Sequence, residues 1–487
     1  MWSCVCGLWA ALTRRPALRA GFVAALLLGV VALAGSSAVA TANNGGPAQA
    51  FAYGSNYDRF TGAAGVPRTG WNTPGFAENG DWHGQSAPFG NTPGQRSYCS
   101  ANGGYDAAGL PQQANSGFAL GSTIYLRKSF AIPANAFGMH IVGTIDNFVD
   151  VWVNGTHEGA SPITGGSCST GDINLWIPNS NLALGGQNLV AVQAADDGNT
   201  ASFFDMKASY GAIQFGQQPS EVQKGAAITP APTVTVVDAD GNPVAGTTVT
   251  VSLQAIAGSG TLSGNASAVT DSNGVATFSN LSVSDGGEYA LIATSQGATV
   301  TSSSFVVADQ ITPCSGSCSA SGSSSGTTIN AAAVNAGSSS LAVSVFAGTP
   351  PAGVCDNLAP LGATAVVNFV NPASGTPSLQ IVWTLDKSLV KQAGNPGAAH
   401  FNICLGAENL QHPDGTGATP WTTKDGTPAT PIADPVLGAT LFWGLVPDCP
   451  NHGTPTGPCV LHRDKNADNE VITVYKPYPW DGRMYGG

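Results

Sequence analysis

The chain has 487 residues, only 9% of them charged, and a formal net charge of −12. That length is enough for about three domains, and the acidic balance excludes a nucleic-acid partner, because neutralising phosphates requires clustered Lys and Arg. The 63 glycines and 32 prolines, with abundant Ser, Thr and Val, are typical of short strands separated by turns. We therefore predict an all-β protein.

The first 40 residues are predicted to be a signal peptide. Arg14, Arg15 and Arg19 precede an apolar run, and Ala38 and Ala40 then give the small-residue spacing of a cleavage site. The apolar run is shorter than the roughly 20 residues of a membrane span, and an uncleaved anchor is the alternative. We expect a secreted, extracellular protein, cleaved near Ala40, with no membrane span in the mature chain.

Residues 41–210 form the first predicted domain. Its strand-like runs include "GMHIVGTIDNFVDVWVNG", in which three valines alternate with Asp150 and Trp152. The dipeptide Asn154-Gly155 predicts a hairpin turn, because both positions of that turn need a positive φ.

Three motifs in this domain resemble the galactose-binding-domain-like jelly roll. They are "FAIP" at 130–133, "DNFVDVWVNG" at 146–155 and "LGGQNLVAV" at 184–192. The resemblance covers residues 115–210 and implies a β-sandwich. In that family the module most often binds carbohydrate or serves adhesion, and is only sometimes purely structural. The expected partner is therefore an extracellular glycan or a cell-surface protein.

Residues 211–309 form the second predicted domain. Runs such as "PTVTVVD" and "TTVTVSL" alternate strictly and are separated by Asp-Gly and Asn-Gly turns. The motifs "VDADGNPVAG" and "NGVATFSNLSV" resemble the bacterial invasin/intimin type of Ig-like domain. That resemblance implies a spacer between other modules and no catalytic residues.

A small-residue segment at 310–328 is predicted to be a Ser/Gly linker. Beyond it, residues 329–487 again contain strand-like runs broken by Gly and Pro. We predict a β-rich, disulfide-bonded C-terminal domain, so that the whole chain is a tandem of β-sandwiches.

Eight cysteines remain after the signal peptide, an even number that predicts disulfides in an exported chain. Zinc is the alternative for "CSGSC" at 314–318 and "CPNHGTPTGPC" at 449–459, but neither has the paired spacing of a closed zinc site. Cys99 and Cys168 stand alone in the first domain and are the first candidates for a pair. The other cysteines committed to disulfides, with their pairing left open, are Cys355, Cys404, Cys449 and Cys459.

An aromatic, glycine-rich segment carries the candidate binding residues. Aromatic faces stack on sugar rings while carboxylate, amide and imidazole groups bond the hydroxyls. The alternative is that the rings are ordinary core, which we favour for Phe76 and Phe89 because Phe has no polar handle. The residues expected to bind ligand are Trp71, Asn79, Asp81, Trp82, His83 and Tyr105.

Metal sites are weakly indicated, and no cofactor is expected apart from a structural calcium ion, which stays open. A solvated acid is favoured over a ligand at Asp146, because hard cations need six or more oxygens. The run "DADGN" at 238–242 lacks the later Gly and Glu of a calcium loop, so a β-turn is predicted there. The weak metal candidates are Asp146, Asp464, Asn466 and Asp468.

Catalytic signatures are absent from the sequence. There is no H-E-x-x-H motif, G-x-S-x-G elbow or thiol-protease signature. Asp146 and Asp150 are predicted to lie on one face of a single strand, about 13 Å apart, which is too far for a glycosidase pair at about 5 to 9.5 Å. We predict a non-catalytic binding or adhesion protein. The alternatives are a secreted hydrolase with its site in the C-terminal region, and a purely structural surface component.

Overall fold

The structure is a computed structural model. The residues it describes are 48–93, 114–162, 171–197, 201–324, 327–347, 363–370, 378–386, 403–405, 430–433, 440–446, 448–449, 458–465, 469–477 and 482–486. The predicted signal peptide at 1–40 lies outside these ranges, so it stays a prediction.

The prediction of an all-β fold is confirmed. In the described ranges the helical content is one 3-10 turn, Asn179–Asn181, and every other regular element is a strand. No helix in those ranges is long and apolar enough to cross a bilayer.

The described residues of the first domain contain twelve strands, which form two facing sheets. They are β1 (Ala48–Phe51), β2 (Asn56–Phe60), β3 (Trp82–Ser86), β4 (Phe89–Gly90), β5 (Ser116–Gly117), β6 (Thr123–Ala131), β7 (Ala136–Asp146), β8 (Phe148–Val153), β9 (Thr156–Pro162), β10 (Ile173–Ile177), β11 (Gln187–Ala195) and β12 (Phe203–Gln217). One sheet has the order β3-β2-β6-β11-β8-β9, and the other runs β10-β7-β12 with β1 and β4 also on β12. Alternating apolar residues from both sheets fill the space between them.

The second domain adds ten strands. They are β13 (Val222–Gln223), β14 (Thr233–Val237), β15 (Thr248–Ala257), β16 (Leu262–Ser263), β17 (Ser267–Val269), β18 (Val275–Thr277), β19 (Ser282–Val283), β20 (Gly287–Ser295), β21 (Ala298–Thr301) and β22 (Phe305–Ala308). The order β13-β22-β20-β15-β17 makes one sheet, while β14 and β18 pack opposite it as the continuation of the first domain's sheet.

The first two domains are joined by a strand that they share. The fifteen residues of β12 pair with β7 of the first domain from Phe203 to Ala212 and then with β14 of the second from Ala212 to Gln217. Phe137 of β7 is 8% exposed and belongs to the apolar core of the second domain. At Gly211 a Cβ would lie 2.1 Å from the Val237 carbonyl oxygen, so only glycine fits this close approach.

The stretch from 144 to 155 departs from expectation in one respect. Asp146 ends β7 and Asp150 lies in β8, so the two acids belong to different sheets and the prediction that they share one strand is wrong. The chain crosses between the sheets at Asn147, which is buried and whose N–H donates to the Ala195 carbonyl at 3.1 Å. The predicted hairpin turn at Asn154 is confirmed, with φ values of 49° there and 87° at the following glycine.

The third domain contains the remaining twelve described strands. They are β23 (Gln310–Pro313), β24 (Cys318–Ser324), β25 (Thr327–Val334), β26 (Ser340–Ala347), β27 (Ala363–Val370), β28 (Ser378–Asp386), β29 (Ile403–Leu405), β30 (Thr430–Ala433), β31 (Thr440–Leu445), β32 (Cys459–Lys465), β33 (Asn469–Pro477) and β34 (Gly482–Gly486). One sheet has the order β23-β26-β27-β34-β29-β31-β30 and the other β24-β25-β28-β33-β32.

The predicted linker at 310–328 is wrong, because most of this segment is strand. Strand β23 pairs with β26, and β24 forms a hairpin with β25. Ala331 lies directly opposite the fully buried Trp383 in the β25–β28 ladder. Ala320 of β24 is buried in the same core, so the small residues of this segment belong to a packed sandwich rather than to a flexible tether.

One carboxylate stands at the junction of the second and third domains. Asp309 accepts a hydrogen bond from Lys224 Nζ at 2.6 Å and another from the Val345 N–H at 2.8 Å. Its own N–H donates to the Val343 carbonyl at 2.8 Å. A Cβ at Gly322 would lie 2.6 Å from Asp309 Oδ2, so the glycine makes space for the acid. Two domains thus meet around one side chain.

The disulfide prediction is confirmed where the structure describes it. Cys314 bonds Cys318, and Cys449 bonds Cys459. Cys404 is also disulfide-bonded. The other cysteines predicted to form disulfides lie outside the described residues, namely Cys99, Cys168 and Cys355.

Candidate functional site

Aromatic rings, one buried and three half-buried, meet on the outer face of the sheet β3-β2-β6-β11-β8-β9. Val151 and Val192 are fully buried between the sheets. Their neighbours Trp152 and Gln193 therefore project outward, because side chains alternate along a strand. Tyr125 of β6 lies opposite Gln193 in the ladder and shares this outer face. The alternation that builds the core thus also builds this surface.

The loop between β2 and β3 folds back over the same face and brings Trp71 onto it. The Trp71 ring meets Tyr125 edge-on with centroids 5.3 Å apart, and Trp152 edge-on at 5.5 Å. It also stacks with Trp82 at 6.2 Å and an interplanar angle of 23°. We call these four residues the aromatic cluster. The loop supplies one ring, and three strands supply the others.

Arg127 holds the loop against the sheet. Its side chain projects from β6, is almost fully buried, and donates from Nε to Glu78 at 2.6 Å. Its Nη1 donates to the main-chain carbonyls of Trp71 and of Thr73, the latter at 3.2 Å. The guanidinium also lies 5.2 Å from the centroid of the Phe76 ring, within cation–π distance. The position of the aromatic cluster therefore depends on this arginine.

The structure brings together only part of the predicted ligand-binding set. Trp71 and Trp82 meet, with Trp82 only 8% exposed. Asn79 and Asp81 instead bond each other at 2.7 Å within the turn that leads into β3. His83 is exposed and follows Trp82 along β3, so it points away from the cluster. The remaining candidate, Tyr105, lies outside the described residues.

The polar groups beside the cluster come from residues that the sequence did not single out as binding residues. His157 lies 5.2 Å from the Trp152 ring, centroid to centroid. Its Nε2 is 2.9 Å from Asp150 Oδ1, and both side chains are well exposed. The Asn154-Gly155 turn is the sequence signal that could have identified His157. The turn pairs the strand that follows it with β8 and so places His157 beside Trp152.

The two phenylalanines favoured as core behave differently from each other. Phe89 is fully buried among Tyr57 and Phe204, which confirms a core role. Phe76 is only half-buried, and its ring lies near two guanidinium groups, those of Arg68 at 5.3 Å and of Arg127 at 5.2 Å. Phe76 therefore belongs to the packing that supports the loop.

The metal candidates gain no support in the described ranges. No group of three or more His, Cys, Asp or Glu residues there could hold a metal ion. Asp464 is exposed and pairs with His462 at 3.0 Å. Asp146 is buried, and desolvation, followed by the charges of Asp196, Asp197 and Asp172, raises its pKa to about 6. The other two candidates, Asn466 and Asp468, lie outside the described residues.

A second buried acid has a structural environment. Asp205 has no solvent exposure, and its carboxylate accepts hydrogen bonds from the Gly54 N–H at 3.0 Å and the Met206 N–H at 2.9 Å. Burial raises its pKa to about 8, although these main-chain donors act in the opposite direction. An enclosed carboxylate cannot reach a substrate, so Asp205 anchors the turn between β1 and β2.

The arrangement around Trp152 has the chemistry of a sugar subsite. A half-buried indole offers an apolar face to the C–H groups of a pyranose ring. The adjacent imidazole and carboxylate of His157 and Asp150 can exchange hydrogen bonds with hydroxyl groups. Contact with a neutral polar ligand is therefore within the capacity of the site.

No protein-family model matches the sequence, and neither does any curated protein. Among solved structures, a glycosyl hydrolase family 2 member from Bacteroides cellulosilyticus is 12% identical, with 53% of this chain and 36% of that one covered and a TM-score of 0.23. A β-glucuronidase from Bifidobacterium dentium is 14% identical over 56% and 50%, with a TM-score of 0.21. The β-glucuronidase from Ruminococcus gnavus is 10% identical, with 56% of this chain and 47% of that one covered and a TM-score of 0.24.

This chain spans half or less of the length of those three structures. Identities and TM-scores this low place the chain in no family. The two domain resemblances found in the sequence therefore stay predictions, and the function has to be inferred from the site itself.

Proposed function

We propose that this chain is a non-catalytic, carbohydrate-binding protein of the cell exterior. The observation that carries the proposal is the aromatic cluster, in which Trp152 lies half-buried beside the His157–Asp150 pair. Aromatic stacking with a few polar groups is the usual means by which proteins hold neutral sugars. The exterior location rests on the N-terminal sequence and on disulfides, which persist in oxidising compartments.

The arrangement favours binding over bond cleavage. Glycosidases use two carboxyl groups that flank the scissile bond, one with a raised pKa. Two described acids beside the cluster are already paired, Asp150 with His157 at 2.9 Å and Glu78 with Arg127 at 2.6 Å. Of the acids whose pKa burial raises, Asp146 and Asp205 lie on the other sheet of the first domain, and Glu158 of β9 accepts a hydrogen bond from Asn181 at 2.9 Å. A contact role therefore accounts for the cluster without a reaction step.

The test is glycan binding by the full mature chain, measured on an array and then by calorimetry with cellohexaose, xylohexaose and chitohexaose. Trp152→Ala is expected to weaken binding roughly tenfold, or about 1.4 kcal/mol, because it removes a stacking face. Trp152→Phe keeps a smaller ring and is expected to retain part of the affinity.

His83→Ala is the matched control, because this exposed residue of the same domain points away from the cluster. It is expected to leave binding unchanged. Equal effects of His83→Ala and Trp152→Ala would contradict the site. Absence of binding by the unmodified chain to every glycan would contradict the function and favour a purely structural component.

A further inference from the structure

A second tryptophan lies on the other sheet of the first domain. Trp176 belongs to β10, the edge strand of the sheet β10-β7-β12, and is 52% exposed. An indole normally packs against a core or finds a partner, because it is a large apolar group. A tryptophan with half of its surface in water therefore needs an explanation.

The exposed ring is held rigidly. Trp176 lies opposite His140 in the β10–β7 ladder, and the two rings stack in parallel with centroids 4.0 Å apart and an interplanar angle of 10°. The imidazole covers one face of the indole, and the exposure of Trp176 leaves the other face to solvent. A fixed, exposed aromatic face loses little conformational entropy on binding, and this favours affinity.

The imidazole is fixed in turn by both of its nitrogens. His140 Nδ1 lies 2.7 Å from Asp240 Oδ1, and Nε2 lies 2.7 Å from Asn174 Oδ1. With both nitrogens bonded, the ring of His140 cannot turn away from Trp176. His140 is 8% exposed, so the stacked pair is supported from below by a buried side chain.

One of these supports comes from the second domain. Asp240 lies in the turn predicted at 238–242, which is confirmed: the Gly241 N–H donates to the Asp238 carbonyl at 3.0 Å. Asp238 also accepts from the N–H groups of Asp240 and Asn242 at 2.9 and 2.8 Å. The shared strand β12 keeps this turn beside the first domain. The Trp176 site is thus completed by residues from two domains.

The surroundings of the ring are polar. Asn174, two residues before Trp176 on the same face of β10, is exposed, and the Asp240 side chain is 43% exposed. A protein-docking surface would be a contiguous apolar patch. A flat apolar face with an amide and a carboxylate at its edge instead suits a ring that has both C–H faces and hydroxyl groups.

We propose that Trp176 is a second pyranose-binding subsite, on the face of the first domain opposite the aromatic cluster. This rests on the proposed function for its ligand class but on a separate set of residues. Two subsites on opposite faces of one sandwich cannot bind the same short oligosaccharide. The protein would therefore bridge two glycan chains, with the gain in avidity that two linked sites give.

The test is the stoichiometry and affinity of cellohexaose, xylohexaose and chitohexaose binding to the full mature chain, by calorimetry. The unmodified chain is expected to bind two equivalents of the preferred oligosaccharide. Trp176→Ala and Trp152→Ala are each expected to leave one equivalent, and the double variant none. Leu120→Ala, which removes a 42% exposed apolar side chain from the loop before β6, is the control and should bind two.

Variants of Asp240, which fixes the His140 ring, test the Trp176 subsite separately. Asp240→Ala frees the imidazole of His140 and is expected to weaken the Trp176 subsite roughly fivefold, whereas Asp240→Asn keeps an acceptor and restores it. Circular dichroism and the melting temperature of each variant confirm that it is folded. Because the Trp152 subsite does not contain Asp240, its affinity should not change in either variant.

The outcomes separate the two proposals. If Trp176→Ala leaves two equivalents bound, the second subsite is overturned and the proposed function stands. If Trp152→Ala leaves binding intact and Trp176→Ala abolishes it, the second subsite stands and the aromatic cluster loses its role. If the unmodified chain binds none of the three oligosaccharides, both are overturned.

Discussion

The two domain junctions of this chain are built differently. At the first, strand β12 pairs with β7 and then with β14, and Phe137 reaches from one domain into the core of the next. At the second, Asp309 ties Lys224 to the main chain of β26. A main-chain ladder backed by apolar contact depends little on ionic conditions, whereas a junction centred on one carboxylate depends on charge and hydrogen bonding.

The contrast changes how the second domain is understood. Its predicted resemblance implies a spacer, and a spacer domain is often expected to move relative to both of its neighbours. Here it forms one continuous block with the first domain, since the single strand β12 belongs to both ladders, up to Ala212 in the first and from Ala212 in the second. Relative motion, where it occurs, is expected at the Asp309 junction.

The largest effect is expected from Phe137→Ala. Removing a buried ring leaves a cavity and costs about 3 to 5 kcal/mol. Because the side chain belongs to one domain and packs in the core of the other, the first two domains should lose stability together, in one calorimetric transition. Phe148→Ala is the matched control, since Phe148 is 37% exposed. Two calorimetric unfolding transitions that shift independently would contradict the conclusion that the first two domains unfold as one block.

The stability of the first two domains should also depend on pH. The pKa of Asp205 is raised to about 8, so the folded state holds a proton that the unfolded state has already released above about pH 4. Stability therefore falls as the pH rises from 5 to 8, by on the order of 3 kcal/mol. Asp146, with its pKa raised to about 6, adds a smaller loss in the lower part of the window.

The measurement is calorimetry at pH 5, 6.5 and 8 on the unmodified chain and on Asp205→Asn. The amide does not titrate, so the variant should show a flatter dependence in the transition of the first block. A melting temperature that rises between pH 5 and 8 would contradict the assignment, as would an equal slope in the variant.

The second junction should show a smaller effect. Asp309→Ala leaves the Val345 N–H without its acceptor and is expected to cost about 1 to 3 kcal/mol. Its readout is the radius of gyration by small-angle scattering, which should increase as the third domain moves relative to the block. Lys224→Ala is the comparison: its side chain is 43% exposed, so its loss should cost less than about 1 kcal/mol. Equal effects would mean that the ion pair, rather than the bond to β26, holds the junction.

Local features of the fold could be predicted from the sequence. The alternation around Trp152 and the turn at Asn154 depend on neighbours a few residues apart, and both predictions are confirmed. The strands within 310–328 could not be predicted in this way, because their composition is that of a linker. Strand β25, the hairpin partner of β24, pairs on its other side with the distant β28, where Ala331 lies opposite Trp383. The packing of this segment therefore depends on residues far along the chain.

The same limit applies to the site. Composition alone drew attention to Trp71 and Trp82, which do meet. It drew equal attention to His83, which the strand geometry turns away. Arg127 and His157 could not be selected, because their roles depend on which strands are neighbours in the sheet, and that is fixed by contacts far apart in the chain.

The shared strand has a practical consequence for dissecting the molecule. A fragment that stops near residue 210 would cut β12 just before it pairs with β14 and would remove the partner that covers Phe137. A fragment that starts there would leave the unpaired edge of β14 open to other chains, and exposed edges of this kind promote aggregation. Recombinant pieces should therefore end after Ala308, where the backbone passes from one sandwich into the next.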